Sequence, residues 1–192
     1  MGLQATAQPT TQAVSLTEAK QHLRVESTFD DTQIEALIDA AQEWVESYTT
    51  RRLVQTEYRW TISGFPGKAS ESLRLPLSPV SAVDLIEYTD GAGNTQTFTD
   101  FQADLDVDPS IILPGQGGGW PSAANDTLDA VKVDFTAGYA SDADVPRSLK
   151  QAMLLLIGHW YEHREAVSVG NTVTELPQAV VFLSAPYRVR FF

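Results

Sequence analysis

Cysteine is absent from the 192 residues, which excludes disulfides, thiolate metal sites and cysteine nucleophiles. Folding therefore rests on packing alone, and synthesis in a reducing compartment is compatible with the composition. Basic residues are scarce: 13 Lys and Arg stand against 25 Asp and Glu, a net charge of −12. Nucleic-acid binding needs Lys and Arg to displace condensed counterions, so a surface this acidic argues against gripping DNA. No stretch approaches the 18 or so apolar residues of a spanning helix, and the opening MGLQATAQPTTQAVS has neither the basic nor the apolar segment of an export signal. A soluble protein with no membrane partner is expected.

What is present is a globular composition, with 43% hydrophobic and 20% charged residues, enough for a core without staples. The acidity is central. Residues 1–63 carry 9 acidic and 5 basic groups, residues 64–145 carry 13 and 3, and residues 146–192 carry 3 and 5. Residues 1–14, rich in Thr, Gln, Ala and Pro, have little apolar surface to offset ordering and are expected to form a flexible arm.

Ser15 and Glu18 stand at capping-box spacing and predict a short helix to about Leu23. From Asp31 onward, Ile34, Leu37, Ile38, Ala41, Trp44, Val45 and Tyr48 recur at the spacing of one helical face, opposite Gln33, Glu35, Asp39 and Glu43. The period then changes to two: Val54, Thr56, Tyr58, Trp60 and Ile62 alternate with Gln55, Glu57, Arg59 and Thr61 in a long strand. LRLPL, AVDLIEY, TQTF, SIIL and DAVKVDF follow as shorter strands, with TDGAGN as a hairpin in which Gly91 and Gly93 supply positive φ. Val145 and Pro146 open a second long helix, with Leu149, Met153, Leu156, Ile157 and Trp160 on its buried face, to about Arg164. A short helix between Pro177 and Leu183 precedes an extended end. The expected fold class is α+β: a helical core of two long amphipathic helices plus short helices, a mostly antiparallel β insertion over about 53–136, and an extended C-terminal tail. The expected divisions are an arm over 1–14, one α+β domain over 15–175 and a tail over 176–192.

One motif invites a catalytic reading. HWYEH places His159, Glu162 and His163 in the H-x-x-E-H pattern of inverted zinc peptidases, both imidazoles on one helical face. A third ligand is lacking, since only Glu165 and Glu175 offer carboxylates in the 29 residues after His163. The two histidines read instead as helix-surface or interface residues, so no metal or other cofactor is expected. In DLDVDP, Asp104, Asp106 and Asp108 stand like calcium-loop ligands, but Pro109 replaces the needed glycine and Gly115 the bidentate glutamate, which excludes an EF-hand. GQGGGW lacks the Lys and Ser/Thr of a phosphate loop and reads as a turn anchored by Trp120 and Pro121. No G-x-S-x-G is present, and catalysis has no support. At the end of the chain Tyr187, Phe191 and Phe192 alternate with Arg188 and Arg190, residue types that anchor interfaces. Spacing leaves open whether this end docks on a partner or tucks onto its own fold.

Taken in order, SLTEAKQHLRV, DDTQIEALIDAAQEWVESYTTRRL, LPLSPVSAVDLIEYTDGAGN, VDFTAGYASDADVPRSLKQAMLLLIGHWYEHRE and LPQAVVFLSAPYRVRFF resemble the head-tail connector (adaptor, or head-completion) proteins of tailed bacteriophages and gene transfer agents. The resemblance implies a non-enzymatic virion protein of the neck, assembled in the host cytoplasm. Its partners would be the portal protein, identical subunits in a ring of twelve, and a downstream stopper or tail-terminator protein, with genome DNA passing through unbound. The two long helices would form the ring body, and Tyr187, Arg188, Arg190, Phe191 and Phe192 would bind the portal. Alternative readings are a different neck or tail-completion protein, a cell-surface binding module, or a metal-dependent hydrolase using His159, Glu162 and His163.

Overall fold

The computed structural model describes residues 2–7, 9, 11–68, 70–124, 127–163 and 178–190. They fall into two units, one drawn from Met1–Pro9, Gln55–Tyr139 and Val189–Phe192, the other from Thr10–Val54 and Ala140–Arg188.

The first unit is built of strands β1 (Gly2–Ala5), β2 (Thr56–Ile62), β3 (Leu73–Arg74), β4 (Val80–Thr89), β5 (Thr95–Thr97), β6 (Phe101–Asp104), β7 (Ile111–Pro114) and β8 (Val131–Ala137). They form an antiparallel five-stranded sheet in the order β1-β2-β8-β4-β5 and a three-stranded sheet in the order β3-β7-β6. Strand β8 lies at the centre of the larger sheet, and its burial alternates strictly because successive side chains leave a strand on opposite faces. The register sets Tyr58 opposite Phe135, Trp60 opposite Val133 and Ile62 opposite Val131. These residues join Leu73, Leu75, Leu77 and Ile112 in one apolar core, with the Tyr58 and Phe135 rings stacked at 5.8 Å. On the opposite face Arg59 donates to Asp134 through Nε at 2.7 Å and through its terminal nitrogen at 2.6 Å, a bidentate cross-strand pair.

Two sequence expectations change here. Gly2–Ala5, expected within a flexible arm, pairs antiparallel with β2 from Gly2↔Thr61 to Ala5↔Tyr58, and Ala13 and Val14 are fully buried. The ordering of β1 comes from main-chain pairing along a sheet edge, which needs no apolar side chains and so leaves no mark in composition. In the β4–β5 hairpin only Gly93 takes positive φ, at 85°. Asp90 supplies the rest of the turn, its carboxylate accepting the amides of Ala92 and Asn94, each at 2.9 Å. Those bonds hold its carboxyl below the usual range, the Asn94 amide first among them.

The second unit contains helices α1 (Leu16–Leu23), α2 (Asp31–Thr49), α3 (Arg147–Glu162) and α4 (Gln178–Ser184), with 3-10 turns at Asp142–Asp144 and Ala185–Tyr187. Helix α1 begins at the Ser15–Glu18 capping box and ends at Arg24, which adopts left-handed φ of 57°. The fully buried residues of α2 are Ile34, Ile38, Ala41, Val45 and Thr49, and those of α3 are Leu149, Ala152, Met153, Leu156 and Ile157. Helix α2 packs on α3, α1 packs on both, and α4 packs chiefly on α3. Pro146 precedes α3 where its missing amide costs nothing.

Phe135 is fully buried in the sheet core while Phe29, between α1 and α2, is 92% exposed. Phe135→Ala is therefore expected to cost about 3 to 5 kcal/mol, whereas Phe29→Ala should leave stability within about 0.5 kcal/mol. Urea denaturation of both variants checks the contrast.

Candidate functional site

The helical unit is tied together by polar contacts between residues distant in sequence. Lys150 Nζ reaches Glu18 at 3.2 Å and Asp142 at 3.3 Å. The Tyr161 hydroxyl donates to Asp30 at 2.6 Å, and Lys20 pairs with Asp31 at 2.5 Å. The Ser15 backbone amide donates to Glu18 Oε2 at 2.8 Å. That bond first, and then Lys150, holds the Glu18 carboxyl below the ordinary glutamate range against the opposing effect of partial burial.

The C-terminal segment is engaged in the same way. Arg51 Nε donates to the Tyr187 carbonyl at 2.6 Å, and the Arg188 guanidinium lies 5.5 Å from the centre of the Tyr48 ring. Tyr48 in turn stacks on Trp44 at 5.2 Å. Tyr187 thus belongs to a 3-10 turn and not to the extended segment expected from sequence. Short-range spacing could not show this, because Arg51 and Tyr187 are 136 positions apart. Arg190 is exposed; Phe191 and Phe192 lie outside the described residues, as does the region 164–177 with Glu165 and Glu175.

The HWYEH residues lie at the end of α3. The His159 and His163 rings are 4.9 Å apart, and a His163 ring nitrogen sits 3.0 Å from the His159 carbonyl. Among the described residues no group of three His, Cys, Asp or Glu side chains gathers around a point that could hold a metal. In the acidic loop the Asp106 amide donates to Asp104 at 3.2 Å, and the Ser78 hydroxyl bonds Asp108, so two of the three carboxylates serve the turn itself. Gly115 donates its amide to the Asp100 carbonyl at 2.8 Å, Gly117 takes φ of 80°, and the Trp120 indole donates to the Glu71 carbonyl at 2.9 Å. The glycine cluster is a turn held by Trp120, whose ring stacks on Phe65 at 5.1 Å.

Two surface features of the helical unit were not legible in the sequence. A groove of about 660 Å³ runs beside α1, lined among others by Leu16, Lys20, Gln21, Arg24, Val25 and Glu26. Helix α4 exposes Phe182, at 72%, and Val181, at 36%, while burying Val180 and Ser184. The only sequence signal for the second was that Val180 and Ser184, four apart, define the inward face and leave Phe182 on the other.

Turns satisfied from within, a groove of mixed polar and apolar lining beside α1 and an exposed aromatic on α4 belong to an α+β protein. The head completion protein family matches residues 12–189, and the chain belongs to that family. It is a structural protein with a head-tail connector role, not an enzyme. Three solved structures share the fold across 100% of this chain and 97% of theirs. They are the neck of an empty gene transfer agent (GTA) particle with C6 symmetry (TM-score 0.79, 24% identity), the virion of a native GTA particle (0.80, 24%) and the neck of a native GTA particle with C12 symmetry (0.80, 23%). No curated protein matches at a significant level.

Two outcomes are expected. Purified protein should hold no stoichiometric zinc after dialysis, and His159→Ala combined with His163→Ala should leave metal content unchanged by elemental analysis. Because the folded-state pKa of Glu18 is depressed, its contribution to stability is present above the unfolded value and is lost as pH falls through the folded one. Glu18→Gln should thus be less stable than the parent at neutral pH, and the gap should close as pH drops below the ordinary glutamate range, read from urea midpoints across pH.

Proposed function

We propose that this chain is the ring-forming adaptor of a tailed-phage-like particle, seated under the portal at the head-tail junction of the virion. The observation that carries the reading is the family match over residues 12–189, and the fold shared along the whole chain with a GTA neck of C12 symmetry supports a ring of twelve identical subunits. The portal protein lies above, a stopper or tail-terminator protein follows below, and assembly takes place in the host cytoplasm. DNA passes through without being bound. The 13 acidic and 3 basic groups of residues 64–145 suit a passage wall that repels phosphate and lets the genome slide.

The portal-docking segment we propose is the end of the chain: Tyr187, Arg188, Arg190, Phe191 and Phe192. Tyr187 and Arg188 rest on Arg51 and Tyr48 of their own subunit, so they position the segment, and Arg190, Phe191 and Phe192 make the new contacts. Aromatic anchors in desolvated pockets commonly cost about 2 kcal/mol or more each when truncated.

Removing residues 190–192 keeps the Arg51–Tyr187 bond and the buried Val189. Portal affinity is expected to fall at least about a hundredfold, with the melting temperature unchanged. A large drop in melting temperature with portal affinity otherwise retained would instead assign the end of the chain to the subunit's own fold.

A further inference from the structure

Two arginines stand side by side just beyond α2, and the fold uses them differently. Arg52 turns back on its own helix: its Nη1 donates to Glu46 Oε2 at 2.7 Å, and Glu46 Oε1 accepts the Leu53 amide at 2.9 Å. Arg51 reaches elsewhere. Helix α2 ends at Thr50, which takes left-handed φ of 57°. The Thr49 hydroxyl donates to the Val45 carbonyl at 2.7 Å and accepts the Arg51 amide at 3.3 Å. From this turn Arg51 Nε reaches the Tyr187 carbonyl, at the end of the 3-10 turn that follows α4, at 2.6 Å. A carbonyl at a helix end has no partner within the helix, and a guanidinium donor makes the bond to it short and charge-assisted.

The next residue is held from the same helix end. The Arg188 guanidinium lies 5.5 Å from the centre of the Tyr48 ring, inside the ~6 Å range of a cation–π contact. Tyr48 and Trp44 stand four apart on one face of α2, and their rings are stacked at 5.2 Å and 6°, which fixes the face offered to Arg188. The two contacts therefore grip consecutive residues, Tyr187 by its main chain and Arg188 by its side chain, immediately before the buried Val189 and the exposed Arg190. A cation–π contact to an exposed arginine adds little to folding stability. What it fixes is the path of the chain.

We propose that Trp44, Tyr48 and Arg51 are positioning residues for portal docking: they hold the turn that leads into the docking residues before portal arrives, so that Arg190, Phe191 and Phe192 lose less conformational freedom on binding. This rests on the docking reading of the preceding subsection and adds the part of α2 on which it depends. The apparent Kd rises in inverse proportion to the fraction of subunits whose docking segment is in place, and preorganisation of this kind raises affinity without adding a contact to the partner. The three residues act through the end of the chain and need not touch portal.

Purified portal is titrated with Arg51→Gln, Tyr48→Leu and Tyr48→Phe, each made in the full-length chain and in the chain lacking residues 190–192, at a temperature well below the melting transition of every variant. In the full-length chain Arg51→Gln and Tyr48→Leu are each expected to raise the portal Kd about tenfold, as the docking-competent population falls to about one tenth. Tyr48→Phe keeps the π face and should stay within about twofold of the parent. In the shortened chain the same substitutions should change Kd by less than about twofold, because the residues they position are gone. Equal losses in both chains would overturn the proposal, since a general effect on the fold or a direct contact with portal does not need residues 190–192. Unchanged affinity of the full-length Arg51→Gln and Tyr48→Leu variants would overturn it as well, while the docking reading stands as long as removing residues 190–192 weakens binding by itself. If that removal leaves portal affinity intact, the docking reading fails and the positioning role with it.

Discussion

The apolar seam between α2 and α3 is the constraint on which the helical unit depends. Ile34, Ile38, Ala41 and Val45 on one helix and Leu149, Met153, Leu156 and Ile157 on the other are fully buried, and each large side chain contributes about 1.5 to 3 kcal/mol by leaving water. Helix propensity alone gives far less, since most helical stability in proteins comes from packing an amphipathic face. With no disulfide possible, this packing must set the positions of α1 and α4. Lys150, on α3, holds the cap of α1 through Glu18, and Arg51, just beyond α2, holds the turn that follows α4 through the Tyr187 carbonyl. The groove beside α1 and the exposed Phe182 of α4 are therefore both placed by the α2–α3 pair.

The sheet unit follows a different rule. Strand β8 is paired on both sides, by β2 and β4, and its alternating Val131, Val133, Phe135 and Ala137 supply the buried face. A shift of one residue in register would turn that face outward, so the apolar alternation itself fixes the pairing. The Arg59–Asp134 pair lies on the other face of the same register, and being bidentate it adds geometric specificity beyond its modest contribution to stability.

Local patterns were readable from sequence because the physics behind them is local. The capping box is a contact across three residues, the α2 stripe repeats every three or four, and the strand of Thr56–Ile62 alternates every two. Features missed share the opposite property. Strand β1 is ordered by main-chain bonds to residues more than fifty positions away, and β6 has one half-buried side chain followed by three exposed ones, which offers no apolar period. Gly91 was expected to take positive φ, and Asp90 makes that unnecessary by accepting two amides. The end of the chain was read as extended because aromatics and arginines alternate there. Tyr187 instead closes a turn against Arg51, a contact that only the tertiary fold creates. HWYEH had correct spacing for zinc, yet spacing on one helix brings only two imidazoles together, and the third ligand must come from elsewhere in the fold.

Membership of the head completion protein family supports one central proposal: that the chain works by closing a ring of its own copies on a portal. Native mass spectrometry of purified portal titrated with this protein tests it most directly. The account predicts that portal passes from bare to fully occupied, with one copy of this chain per portal subunit and few intermediates, because each added copy completes a contact with its neighbour. A series of partly filled complexes in binomial proportion, saturating below one copy per portal subunit, would contradict it.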